Sequence, residues 1–174
     1  MKINNLIYIY IVEGETEKKL ISSIKNEFIF SGKTIVKNLL QNKLTKTFLR
    51  PINPNTNVVI VFDTDVSEQK SLNRLSENVE FLKSSKNIKK IYLIPQVNNL
   101  EDELIYSTNI KNIRELTKSI CDGDFKSDFM KMKESIVVNK LNNHEFSINK
   151  FWSRESSNIY SKFKNESYNI KIKP

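Results

Sequence analysis

Three stretches of the chain are apolar at almost every position, and each stops at an acidic or turn-forming residue. Leu6-Ile7-Tyr8-Ile9-Tyr10-Ile11-Val12 runs unbroken to Glu13-Gly14. Asn57-Val58-Val59-Ile60-Val61-Phe62 runs to Asp63-Thr64-Asp65, and Ile91-Tyr92-Leu93-Ile94 is closed by Pro95. Continuous β-branched and aromatic runs of this kind predict strands buried on both faces, as in a parallel sheet. Between them the period changes. After the acidic opening Glu15-Thr16-Glu17, favoured at a helix N-terminus, Leu20, Ile21, Ile24 and Phe28 fall on one helical face. Leu72, Leu75, Val79 and Leu82 do the same within a helix expected from about Ser67 to Ser84.

The remaining pattern is shorter. Thr34 to Val36 predicts a short strand and Asn38 to Leu49 a short helix, followed by a loop around Pro51, Pro54 and their neighbouring asparagines. Asn99 to Ser107 predicts a helix that opens on Glu101-Asp102-Glu103, Ile110 to Ile120 another, and Phe125 to Leu141 a longer one. Asp122-Gly123-Asp124 reads as a turn with a helix cap. The tail from Phe151 predicts a last helix or an edge strand, with Phe151 and Trp152 anchoring it. Strands alternating with helices imply an α/β domain: a mostly parallel, Rossmann-like sheet with right-handed crossovers, flanked by helices. Residues 1–108 are expected to form the core, and 109–174 a mainly helical extension of the same domain.

The formal charge is +8, with 28 Lys and Arg against 20 Asp and Glu, which favours a polyanionic partner, chiefly nucleic acid. An abundance of Lys, Asn, Ile and Ser from AT-rich coding would produce the same balance. Cys121 is the single cysteine, so neither a disulfide framework nor a cysteine zinc cage is expected, and the chain suits a reducing compartment. No apolar run is long enough to span a bilayer. The stretch from Met1 to Tyr10 lacks a small-residue cleavage site and reads as a strand, so a cytoplasmic protein is expected, with no membrane partner. Gly32-Lys33-Thr34 resembles the end of a phosphate-binding loop, but that motif needs a glycine where Glu27 stands. His144, the only histidine, reads as a solvated helix-end residue.

Ligands of open parallel sheets gather beyond the carboxyl ends of the strands. Glu13 ends the first strand, Asp63 and Asp65 the second strong one, and Glu101-Asp102-Glu103 follow the third. Carboxylates brought to one rim repel one another and cannot all stay ionised without a cation, and their hard oxygens suit Mg²⁺ or Mn²⁺. In a strict strand, residues i and i+2 share a face, so Asp63 and Asp65 are expected to face one ion.

Val12-Glu13-Gly14-Glu15-Thr16-Glu17 followed by an amphipathic helix resembles the first motif of the Toprim family, and Val58 to Phe62 leading into Asp63-Thr64-Asp65 resembles the second. The likeness spans roughly Ile7 to Ile94. The family includes topoisomerases, bacterial primases, overcoming-lysogenization-defect nucleases and a small ribosomal-RNA maturase. The resemblance implies a Toprim-like fold with Glu13 as general acid/base or metal ligand, Asp63 and Asp65 as metal ligands, and Glu101 or Asp102 as a further carboxylate. No nucleophilic-tyrosine domain or zinc module is expected at this length, so topoisomerase and primase activities are not. The reading is an Mg²⁺-dependent nuclease hydrolysing phosphodiester bonds of RNA or DNA, in phage defence or RNA processing, with a separate ATPase or recognition subunit as a candidate partner. Lys126, ahead of Lys131 and Lys133, is the candidate for neutralising charge on the phosphate, and Lys18, Lys131 and Lys133 are candidate nucleic-acid contacts. Two alternatives stay open. Val59 to Ser67 also resembles the haloacid-dehalogenase signature, in which Asp63 is a nucleophile and Asp65 an acid/base. The chain can also be a non-catalytic binding module.

Overall fold

The computed structural model describes residues 7–172. Four strands, β1 (Ile7–Val12), β2 (Lys33–Val36), β3 (Thr56–Asp63) and β4 (Ile88–Gln96), form one sheet in the order β2-β1-β3-β4. All neighbouring pairs are parallel. Leu6, where the sequence pattern begins the first strand, lies outside the described residues. Among the described residues seven α-helices accompany the sheet: α1 (Glu15–Ile24), α2 (Lys46–Leu49), α3 (Gln69–Lys83), α4 (Leu100–Ser107), α5 (Arg114–Thr117), α6 (Phe125–Lys131) and α7 (Glu134–Asn143). Among the described residues no helix is long and apolar enough to cross a membrane.

The pleat sorts the strand residues into two cores. Tyr8, Tyr10, Val12, Val59, Val61, Tyr92 and Ile94 face α1 and α4 through α7, while Ile9, Ile11, Val58, Ile60 and Phe62 face α3 and the segment after β2. The result is a Rossmann-like α/β/α sandwich with both sheet faces covered, which is why the strands read as unbroken apolar runs.

Several expected elements differ. Asn38 to Leu49 is not one helix: Asn38 Oδ1 accepts from the amides of Leu40 and Gln41 and bends the chain into a turn, leaving helix only over α2. Buried Asn78 on α3 pins this segment, accepting from Leu44 N–H and donating to the carbonyls of Leu39 and Asn42. Ile110 to Ile120 is helical only over α5, which Lys118 ends at φ 62°. Phe125 to Leu141 splits into α6 and α7 at Met132 and Lys133, both extended. Phe125, Phe129, Val137 and Leu141 keep one spacing of four, and Lys133 falls on that stripe. A continuous helix would press its ammonium into the core, and the break leaves it exposed.

β4 does not stop before Pro95 but runs through it to Gln96. Leu93 bonds away from β3, its N–H donating to Glu166 Oε2 and its carbonyl accepting from Glu166 N–H. Pro95, two residues on, presents its missing N–H to that same outer edge, where a proline costs the ladder nothing. Among the described residues the tail from Phe151 is neither a regular helix nor an edge strand. It is irregular apart from a 3₁₀ turn over Ser167–Asn169 and an isolated bridge from Lys171 to Ile29, and both Phe151 and Trp152 are buried in the core.

Candidate active site

The chain steps from β1 outward to β2, then crosses back to β3 on the other side, so the strand order reverses between β1 and β3. That reversal opens a crevice at the carboxyl ends of the two central strands. Glu13 and Asp63 stand there. Glu13 Oε1 accepts the backbone N–H of Asp63 at 3.1 Å, and Glu13 Oε2 accepts Asn38 Nδ2 at 2.7 Å. The Asn78-pinned segment after β2 therefore positions the amide that holds Glu13. Asp63 Oδ1 accepts Gln96 Nε2 at 2.5 Å from the neighbouring strand.

Burial governs the charge of both carboxyls. It pushes Glu13 up to about 7, opposed by the Asp63 N–H and assisted by Glu17 and Asp65. Burial also pushes Asp63 up to about 8, with Glu13 and Glu17 adding repulsion and Gln96 opposing. Near neutrality this pair resists carrying two negative charges.

Glu17 completes the acidic group, although its place in the first motif carried no assigned role. It is buried, and its carboxyl is raised by burial and by Glu101. It is the third residue of α1, and the N–H groups of Glu17 itself and of Gly14, the residue preceding the helix, oppose that rise. A Cβ on Gly14 would stand 2.8 Å from Glu17 Oε2. Gly14→Ala is expected to expel this carboxylate and lower the melting temperature by about 2–4 °C, equivalent to ~1 kcal/mol. An unchanged thermal melt would show that this contact carries no weight.

Asp65 departs from the expected geometry. β3 ends at Asp63, so the two-residue alternation of a strand no longer applies, and Asp65 lies exposed in a turn. The N–H groups of Thr64 and Asp65 both donate to the carbonyl of Asn98, stitching the ends of β3 and β4 together. Asp65 still repels both Glu13 and Asp63.

The acidic triplet on α4 divides three ways. Glu101 pairs with Lys126 Nζ at 3.2 Å. Asp102 accepts from Asn98 Nδ2. Glu103 is fully buried and accepts from Val97 N–H, Trp152 N–H and Arg154. Burial disfavours the charge of Lys126, but Glu101, Glu17 and Asp63 outweigh it and raise its pKa. Lys126 thus faces the acidic crevice. Lys18 pairs with Glu15, and Lys131 with Asp128, each along its own helix, while Lys133 is exposed at the start of α7.

Asn38 and Gln96, the two amides that hold Glu13 and Asp63, were invisible to sequence pattern because a single amide carries no periodic or motif signal. The crevice offers oxygen donors only, and Asp63 Oδ2 accepts from no described residue. Among the described residues, no three Asp, Glu, His or Cys side chains stand close enough to grip an ion as placed. The donor chemistry fits a hard divalent cation. Protein-family models, curated proteins and solved structures compared with this chain give no match, so no family is assigned.

Proposed function

We propose that the protein is a Toprim-type nuclease that binds Mg²⁺ or Mn²⁺ at the crevice between β1 and β3 and hydrolyses phosphodiester bonds of RNA or DNA. The observation that carries this reading is the pairing of Glu13 with Asp63 across the point where the strand order reverses, with Glu17, Asp65, Glu101 and Lys126 around them. Buried carboxyls raised to about 7 and about 8 are costly to a fold, and a cation relieves that cost.

Asp63, Asp65, Glu13 and Glu17 would hold the metal, whose chemistry is to supply an activated water and to stabilise the leaving oxygen. The chain's own residues prepare the substrate. Lys126 presents an ammonium beside the acidic group, where it neutralises a phosphate that acidic walls alone would repel. As the alternative to holding the metal, Glu13, raised to about 7 in the metal-free protein, would take or give the proton. The overall charge of +8 draws a polyanion toward the protein as a whole. The phosphoaspartate alternative is less well supported, since it gives no role to Glu13, the carboxyl that meets Asp63 at the crevice.

The test is incubation with labelled RNA, single-stranded DNA and duplex DNA, in Mg²⁺, Mn²⁺ or chelator, comparing wild type with Glu13→Gln. Cleavage of at least one substrate that requires the metal, and falls by roughly 10²-fold or more in the variant, is expected. Binding without cleavage, indifferent to chelator and to the substitution, would establish the non-catalytic module instead.

A further inference from the structure

Behind the crevice lies a buried relay that ends on the irregular tail. Gln96 closes β4 and is 1% exposed, as is Trp152. Gln96 Nε2 donates to Asp63 Oδ1 at 2.5 Å, and Gln96 Oε1 accepts the Trp152 indole N–H at 2.9 Å. We propose that Gln96 and Trp152 are positioning residues for Asp63: the indole fixes which way the amide points, and the amide fixes one carboxylate oxygen so that the other faces the rim.

An indole N–H can only donate. Rotating the Gln96 amide by half a turn would oppose two donors at Trp152 and two acceptors at Asp63, so one amide orientation satisfies the chain of bonds. The far end of the relay is itself clamped. Trp152 adopts φ 54°, a left-handed conformation rare for a bulky residue. Its N–H donates to buried Glu103, its carbonyl accepts from Ser167 Oγ, and its ring packs, tilted by 31°, against Phe151 with centroids 4.3 Å apart. Strained backbone persists where the surroundings over-determine it, and here they fix the direction of a single N–H. The same tail grips the turn beyond Asp63: Asn158 Nδ2 donates to Thr64 O at 2.7 Å, and Tyr160 Oη to Val66 O at 2.8 Å. The tail thereby becomes the back wall of the crevice.

The functional consequence rests on the metal reading above, and the relay geometry does not. Trp152 is the only tryptophan, so one indole resonance reports it. That N–H should exchange at least ~100-fold more slowly than an exposed indole, and its chemical shift should move in Asp63→Ala. Rapid exchange, or a resonance indifferent to Asp63→Ala, overturns the relay whether or not metal binds. Mn²⁺ titration then tests the consequence. Gln96→Met should weaken binding about 10–100-fold, and Trp152→Phe, which keeps the ring packed, by less. In the Gln96→Met background, Trp152→Phe should add nothing, because the indole acts through the amide. Circular dichroism melts verify that each variant is folded. Wild-type binding that Asp63→Ala abolishes but Gln96→Met leaves within about twofold would overturn the positioning role while sparing the metal site. Absence of Mn²⁺ binding to wild type overturns the metal reading alone, and the indole resonance then decides the relay.

Discussion

Asp63→Asn is expected to make the metal-free protein more stable while removing its metal-dependent cleavage. Asparagine keeps the shape of the side chain, and its carbonyl oxygen can still accept the Gln96 amide, but it carries no charge. The carboxyl it replaces is raised to about 8 by burial and by the repulsion of Glu13 and Glu17. At about pH 8.5 the native Asp63 is mostly ionised, and the fold bears that penalty relative to an unfolded chain in which the group is solvated. Coupling to Glu13 divides the penalty between two groups, so the gain is on the order of 3 kcal/mol, a rise of roughly 6–12 °C in melting temperature in chelator. The same substitution removes one of the cation's anionic ligands and should lower cleavage by about 10³-fold or more. Gain of stability together with loss of function is the mark of a residue kept for chemistry. A destabilised Asp63→Asn protein would mean that Asp63 serves the fold, and full activity would remove it from the site.

Those carboxylates were legible in sequence because they punctuate apolar runs. Val58 to Phe62 could only be a doubly buried strand, and a polar residue at its end had to stand at the sheet's rim. The same logic placed Glu13, and the alternation of strands with amphipathic segments gave the parallel sheet. What failed were arguments from regular geometry carried one residue too far. The i,i+2 rule assigned Asp63 and Asp65 to one face, yet the strand ends at Asp63 and Asn98 rebuilds the chain beyond it. Phe125 to Leu141 reads as one helix, yet it breaks at Met132 and Lys133, where Lys133 falls on the apolar stripe. Asn38, Gln96 and Asn78 were unreadable for another reason. Each acts through a long-range bond, Gln96 to Asp63 and to Trp152 for instance, and neither composition nor period records partners so far apart. Trp152 was read as a tail anchor, and its burial agrees, but nothing local indicated where its N–H would point.

Raised carboxyls also fix the sign of the pH dependence. Glu13 and Asp63 move from 4.5 and 3.8 to about 7 and about 8, and Glu17 and Glu103 are raised as well. Over the window between those values the native protein binds more protons than the unfolded chain, so its stability falls as pH rises. In chelator the melting temperature should decline by roughly 10 °C or more between about pH 5 and about pH 8. Above that window a different group takes over. Burial lowers Lys171 from 10.5 to about 8, so there the native chain binds fewer protons and the slope reverses. Because a divalent cation competes with protons for the same oxygens, Mg²⁺ should add little stability near pH 5 and most near pH 8, flattening the decline. Asp63→Asn should flatten it too, without metal. A melting temperature indifferent to pH in chelator, or an Mg²⁺ effect of equal size at both ends of the window, would dissociate the buried carboxyls from the cation and leave the crevice without its proposed chemistry.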